Sequence, residues 1–422
     1  MENLIQTLKQ VNWDFSDYNS QRFPLDVNSI SWYPATFPPP IPKFLIALLT
    51  EPGDVVFDPF GGSGTTVIEA IKQNRPFFYN DLNPFATDTV RNVVGILLES
   101  SLSPKLLQSV RKRDGEHLAG KIERICEEEL YDGKNMDTVR KKYPQEMIDR
   151  MKFWGLNEEL ILWYHIDTLK ELLRLYELIH TDRERGVYST RKCAFTAILK
   201  EVCSQRGHFT YITDNCRPSQ LRYYSAISTY LAMLDRLILS IDDFLRQFVV
   251  SNGKADLVEL INRSAIYCGD SRNLNMIEDR SVDFILTSPP YLCAQDYIKT
   301  MRLINLFFPN EGFDRLPSQE IGARAYRKKN SQEVINKFYD DMKAFCGEAE
   351  RVLKKDKFFC FIIGQGKAKV IEGCDTIGDL SAMIVRDFHF QKIFEVSRNI
   401  SYKWNRLGGV DHEEIIIFQK KT

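Results

Sequence analysis

Val282-Asp283-Phe284-Ile285-Leu286-Thr287-Ser288-Pro289-Pro290-Tyr291 is the stretch whose reading decides the fold. Its first six residues form a β-rich apolar run and read as a buried strand. Stopped abruptly by a polar residue and two prolines, the run delivers Ser288-Pro289-Pro290-Tyr291 to the carboxyl edge of a sheet, where open α/β sheets bind their ligands. Two successive prolines remove two N–H groups and stiffen the peptide. A rigid row of carbonyl oxygens, a hydroxyl and an aromatic ring remain. Such a group accepts hydrogen bonds from an amine and stacks on a flat ring, and it contains no strong base. It suits the exocyclic amine of a nucleobase.

Working outward, Asp54-Val55-Val56-Phe57-Asp58-Pro59-Phe60-Gly61-Gly62-Ser63-Gly64-Thr65-Thr66 reads as strand, glycine loop and helix start. Glycines let a backbone pass close to a ligand. Phe77-Phe78-Tyr79-Asn80-Asp81 reads as a second strand ending in an acid, the position from which a carboxylate holds ribose hydroxyls. No Lys follows the last glycine, so this is not a phosphate loop, and the GxGxxG spacing of dinucleotide binders is missing. An adenosine-bearing ligand without a phosphate requirement is indicated, and S-adenosylmethionine fits.

Together these residues resemble the DNA amino-methyltransferases, which methylate exocyclic nitrogens of cytosine or adenine. Asp58, Pro59, Phe60, Gly61, Gly62, Ser63, Gly64 and Thr65 match that family's cofactor loop, and Thr287-Ser288-Pro289-Pro290-Tyr291 its catalytic motif. Tyr33-Pro34-Ala35-Thr36-Phe37-Pro38 and Ile41 to Ile46 look like the segment that folds over the methionine end of the cofactor, with Thr36 and Phe37 in contact. Cys268-Gly269-Asp270-Ser271 resembles the segment that sets an acid, Asp270, near the adenine. The Ser-initial motif leans towards the cytosine-N4 members.

The resemblance implies a doubly wound, Rossmann-like α/β methyltransferase sheet with a large, mainly helical insert. Residues 1–94 would form the cofactor half, 95–265 the insert and 266–422 the catalytic half. It further implies S-adenosylmethionine as cofactor and double-stranded DNA as substrate. A prokaryotic, cytoplasmic and nucleoid-associated setting follows, with a cognate restriction endonuclease as partner. Adenine-N6 methylation is the runner-up, and RNA base methylation a third reading. Ser288 Oγ and the Pro289 carbonyl would accept the amine's hydrogens while Tyr291 stacks on a base taken out of the duplex. The cofactor motifs precede the catalytic one, which departs from the commonest cytosine-N4 order.

Composition agrees with an enzyme of this kind. The 422 residues are 44% hydrophobic, enough for one large or two ordinary cores. No stretch approaches a membrane span, and Met1-Glu2-Asn3-Leu4-Ile5 begins no secretory signal. Nine cysteines are scattered without CxxC spacing, which points to a reducing compartment and away from structural zinc. Six histidines show no partner spacing, and no metal ligands are assigned. A formal net charge of −1 leaves any DNA affinity to local patches.

Within the insert, Leu97 to Leu130, Leu160 to Leu175 and Ser219 to Val250 read as amphipathic helices. These serve either as scaffold or for target recognition. The loop Cys203 to Pro218 interleaves cations, amides and aromatics; Arg183, Arg185, Arg191, Lys192 and Lys200 precede it and Arg222 follows. It reads as a DNA contact or as a solvated linker. Gly322 to Lys329 is a second basic loop, DNA-facing or simply solvated. Phe358 to Gly364 reads as a buried strand, and Phe394-Glu395-Val396 with Glu414 to Phe418 as a closing hairpin with one antiparallel member. Between those two strands, Arg398, Lys403, Trp404 and Arg406 border the base pocket or sit at a solvated tip.

Overall fold

The computed structural model describes residues 1–15, 26–30, 36–120, 123–205, 217–253, 256–294, 296–323, 331–366, 371–400 and 412–421. Its strands, in chain order, are β1 (Val56–Asp58), β2 (Phe77–Asp81), β3 (Leu130–Asp132), β4 (Gln220–Arg222), β5 (Ala265–Cys268), β6 (Val282–Thr287), β7 (Leu353–Gly364), β8 (Phe390–Asn399) and β9 (His412–Lys420). Seven of them build one sheet in the order β5-β2-β1-β6-β7-β9-β8, and β3 and β4 form a separate antiparallel pair. The run from β5 to β7 is parallel, while β9 lies antiparallel to both its neighbours.

This order positions the site. From β1 the chain moves outward through β2 and β5, then crosses back to place β6 on the other side of β1. The topological switch point therefore falls between β1 and β6, whose following loops diverge and leave a crevice at their carboxyl ends. The two loops that open there are the glycine loop and Ser288-Pro289-Pro290-Tyr291. All six residues of β6 are buried, as a central parallel strand covered on both faces requires.

Period-two alternation divides the sheet residues between two cores. One face carries Val56, Phe77, Tyr79, Phe284, Leu286, Cys360 and Ile362, which share a cluster with Trp163, Phe195 and Leu234 of the insert. The other carries Phe57, Ile285, Phe359 and Phe361, packed with Phe338 and Phe345 of helix Ser331–Val352 and with Leu380 and Ile384 of helix Thr376–Asp387. Helices Pro40–Leu49, Thr65–Lys72 and Pro84–Leu102 contact the strands of that face, and the helices of the insert pack against the last two and join the same core.

Several expected boundaries move. Position 94/95 falls inside one continuous helix, Pro84–Leu102, and Ala265 already belongs to β5. Leu160 to Leu175 divides into a short 3-10 turn, Glu158–Leu162, and helix Ile166–Thr181, with the fully buried Trp163 and Tyr164 at the break. The His165 ring caps the second piece by accepting from Asp167 N at 3.2 Å. Ser219 to Val250 begins with β4, and helix Ala226–Asn252 starts only after Ser225, whose hydroxyl accepts from Ser228 N at 3.2 Å. Each shift has the same origin: a capping side chain or a tertiary strand pairing overrides apolar periodicity.

No helix among the described residues is long and apolar enough to cross a membrane.

Candidate active site

The glycine loop is shaped from beneath. Gly61 packs against the Tyr79 ring so closely that an added Cβ would lie 2.2 Å from Tyr79 Cε2. Gly64 adopts φ +84°, a left-handed conformation that glycine enters without strain, just before helix Thr65–Lys72. Tyr79 Oη donates to the Gly62 carbonyl at 2.8 Å, so β2 buttresses the loop that follows β1.

Two acids organise the edge, Asp58 buried and Asp81 half-buried. Asp58 accepts from Thr66 Oγ1 at 2.6 Å, Thr287 Oγ1 at 2.7 Å and Phe60 N at 3.2 Å, tying helix, loop and the end of β6 together. Asp81 accepts from Gly62 N at 2.8 Å and Asn83 N at 2.7 Å. Burial pushes both carboxyls up to about 6, against the pull of those donors.

A cavity of about 840 Å³, its solvent mouth included, opens between the loops. Its lining includes Thr36, Phe37, Phe60, Gly61, Gly62, Ser63, Thr65, Asp81, Asp270, Ser288 and Pro290, all anticipated from sequence. Asp58, Pro59, Gly64, Pro289 and Tyr291, also anticipated, adjoin lining residues in the chain and are not themselves among them. Tyr33, Pro34 and Ala35 lie outside the described residues.

Asp270 meets the cavity already engaged. Burial pushes its carboxyl up, but Arg272 donates Nε to it at 2.9 Å and holds it below the usual range. Arg272 also pairs with Asp341 at 2.6 Å. The neighbouring Ser271 donates to the Pro59 carbonyl and accepts from Asn80 Nδ2 at 3.0 Å, locking the β5 loop to the glycine loop.

The Ser-Pro-Pro-Tyr segment corrects two expectations. Tyr291 does not present its ring to the cavity; it is 7% exposed and packs in the core beside Phe57 and Ile285. Its hydroxyl lies 3.1 Å from Ser288 Oγ and donates to Glu413 Oε1 at 2.8 Å. Glu413 is held in turn by Arg398, which also donates to the Trp13 carbonyl at 3.1 Å. The segment therefore has a carboxylate behind it, supplied by β9. Proximity to that carboxylate and burial both raise the Tyr291 hydroxyl well above its usual value, burial being the larger cause.

Other expected contacts are not gathered here. Arg191 is buried and pairs with Asp114 at 2.7 Å inside the insert, and Lys192 pairs with Asp88 at 2.7 Å while lying over the Phe308 ring. Both cations are spent within the fold, which removes them from the candidate phosphate contacts. Residues 206–216 of the interleaved loop, 324–329 of the basic loop, and Lys403, Trp404 and Arg406 lie outside the described residues. Cys293 sits at 0% exposure with φ +58°, in the core rather than in the cavity lining.

Residues not anticipated include Glu413 and the cavity-lining Asn83 and Glu320. Asn83 offered a signal, since Asn before Pro84 marks a helix N-cap next to Asp81. Glu320 and Glu413 carry none, because each reaches the site only through tertiary packing.

A family model described as DNA methylase matches residues 5–92 and 282–422, more than half of the chain. The curated Type II methyltransferase M.PvuII of Proteus hauseri is 44% identical over 55 residues, 13% of this chain and 16% of that protein. Type II methyltransferase M.MjaI of Methanocaldococcus jannaschii is 25% identical over 113 residues, 27% of this chain and 36% of that protein. The chain thus spans between 16% and 36% of the length of these curated relatives. Among solved structures, the rRNA methyltransferase AviRa of Streptomyces viridochromogenes aligns over 97% of this chain and 96% of its own, with 8% identity and a TM-score of 0.39.

Proposed function

This chain belongs to the DNA methylase family, and we propose that it methylates the exocyclic N4 of a cytosine flipped out of double-stranded DNA. The observation that carries this reading is one cavity lined by both the glycine loop with Asp81 and by Ser288 with Pro290. Adjacency of β1 and β6 in the sheet brings the glycine loop and the Ser-Pro-Pro-Tyr peptide together, which supports reading them as cofactor cradle and amine acceptor.

The cofactor of this family is S-adenosylmethionine, and the residues present fit it. Gly61, Gly62 and Ser63 bring backbone to the cavity wall, Asp81 offers carboxylate oxygens for ribose hydroxyls, and two buried polar atoms of the lining stand unpartnered among the described residues. Thr36 and Phe37 belong to the same lining. When bound, the cofactor supplies an electrophilic methyl group on a sulfonium.

The residues of the chain then prepare the nitrogen. An aryl amine is a poor nucleophile because its lone pair is delocalised into the ring. Ser288 Oγ and the Pro289 carbonyl accept its hydrogens, so the nitrogen moves towards sp³ and its lone pair turns to the cradle. The Ser288 hydroxyl can take the proton that the methylated nitrogen sheds while passing its own to the Tyr291 oxygen. Tyr291 donates to Glu413 Oε1, so the relay ends on a carboxylate whose position Arg398 sets. Holding amine and cofactor in one cavity supplies much of the remaining acceleration.

The relatives' names support placing the chain in a prokaryotic restriction-modification system, as a cytoplasmic, nucleoid-associated protein that protects sites from a cognate endonuclease. Mass spectrometry of nucleosides after incubation with S-adenosylmethionine and unmethylated duplex DNA tests the whole reading. N4-methylcytosine is expected. N6-methyladenine would overturn the base assignment while keeping the chemistry, and methylation of an RNA control alone would move the substrate to RNA.

A further inference from the structure

Glu320 and Asn83 line the cavity, and each carries a buried polar atom without a hydrogen-bond partner among the described residues, Glu320 Oε2 and Asn83 Nδ2. Glu320 is 5% exposed and Asn83 1%. The other end of each side chain is committed. Asn83 Oδ1 accepts from Phe85 N at 3.0 Å as the cap of helix Pro84–Leu102, which fixes which end of the amide is free. Glu320 Oε1 accepts from Ile298 N at 2.6 Å. A buried donor or acceptor left unmade is costly, so two on residues that line one cavity call for a ligand.

The surroundings define what that ligand offers. Asn83 N donates to Asp81 Oδ1 at 2.7 Å, so the free amide lies beside the acid expected to hold ribose. Burial pushes the Glu320 carboxyl up to about 8; Asp296 and Asp81 add to this, while Lys299 and the Ile298 N–H oppose it. On the next residue, the Gln319 carbonyl accepts from Arg272 Nη2 at 3.1 Å, so that guanidinium is already engaged with backbone and with Asp270. At neutral pH Glu320 is then an uncharged acid, with one O–H donor and remaining acceptor capacity. Asp81 accepts, Asn83 donates and Glu320 does either. A vicinal diol, in which each hydroxyl both donates and accepts, satisfies all three.

We propose that Glu320 and Asn83 complete, with Asp81, the site for the two ribose hydroxyls of the cofactor, a proposal that rests on assigning the cavity to an adenosyl ligand. Glu320 is a binding residue here, and its neutral form is the one that works. Ionisation beside Asp81 would set two anions against one diol.

Calorimetric titration of the full chain with S-adenosylhomocysteine and its 2′-deoxy and 3′-deoxy analogues tests this. Wild-type affinity should fall about tenfold more steeply between pH 7 and pH 9.5 than that of Glu320→Gln, which cannot ionise. Glu320→Ala should bind more weakly than Glu320→Gln at pH 7. In Glu320→Ala one deoxy analogue should lose much of the penalty it shows with wild type, because side chain and hydroxyl form one contact. Asn83→Ser, which keeps a helix-capping oxygen, should lower affinity with folding retained. Full deoxy penalties in Glu320→Ala, or identical pH profiles for wild type and Glu320→Gln, would overturn the proposal. If wild type binds no S-adenosylhomocysteine at pH 7, the adenosyl reading itself fails, and the proposal with it.

Discussion

Asp114 in the helical insert and Asp58 at the sheet edge are carboxylates of nearly equal burial, 0% and 2% exposed, in opposite company. Asp114 accepts from Arg191 Nη2 at 2.7 Å and from Tyr230 Oη at 2.8 Å, a charge matched by a charge. Asp58 is met by two threonine hydroxyls and a backbone N–H. The same contrast recurs, Asp270 with its Arg272 being the exception at the edge. In the insert, Glu159 pairs with Arg302 at 2.5 Å and Asp167 with Arg124 at 3.7 Å, whereas Asp81 and Glu320 at the edge are bonded to backbone N–H groups. Paired acids staple helices together. Of the acids without a cation, Asp81 leaves negative potential at the cavity, which suits a sulfonium ligand, while Glu320 stays uncharged there at neutral pH. Strongly shifted acids cluster where the ligand binds, which is where a fold optimised only for stability would not put them.

Arg191→Ala should be the most disruptive way to break this contrast. It leaves Asp114 buried with only a phenol, at a cost of about 3–5 kcal/mol, read from the urea midpoint. A loss below about 1 kcal/mol would show that the insert is not stapled by that pair. Ser288→Ala acts on the other region and should lower kcat about 100-fold while the cofactor Kd moves far less. Turnover at the wild-type rate would remove Ser288 from the chemistry.

Asp58 sharpens the comparison through pH. Its carboxyl is raised to about 6, above the usual value near ~3.9, so the folded state holds this proton more tightly than the unfolded chain. The resulting stabilisation is complete below about pH 4 and is lost as pH rises through about 6. Relative to Asp58→Asn, wild type should therefore gain up to about 3 kcal/mol between pH 7 and pH 4. Parallel denaturation profiles for the two proteins would contradict it. The smallest effect is expected from Tyr291→Phe, which keeps the core ring and cuts the link from Ser288 to Glu413. A kcat reduction of about tenfold with little change in KM is expected; an intact kcat would mean the proton leaves by another route.

How much of this was legible depended on how local each signal was. The strand 77–81 was read to the residue, and Val282 to Thr287 likewise, because short apolar runs ended by an acid or by two prolines have few other conformations. The glycine loop and eleven lining residues followed from adjacent positions in the chain. Helices of the insert were read as existing but misplaced at their ends, since the caps at His165 and Ser225 and the β3–β4 pair are set by neighbours in space. Arg191 and Lys192 looked like DNA contacts because a list of cations does not display their partners, Asp114 and Asp88, 77 and 104 positions away.

By itself the sequence determined a parallel α/β sheet, a glycine loop after β1, an acid at the end of β2 and a Ser-Pro-Pro-Tyr peptide after β6, because each is a contiguous segment whose residues bias their own backbone. Only the tertiary structure decided that β1 and β6 are neighbours, that Tyr291 turns inward to Glu413, and that Glu320 and Asn83 face the same cavity. Those facts depend on strand order and on the desolvation of groups far apart in the chain, and neither is written in any single stretch of residues.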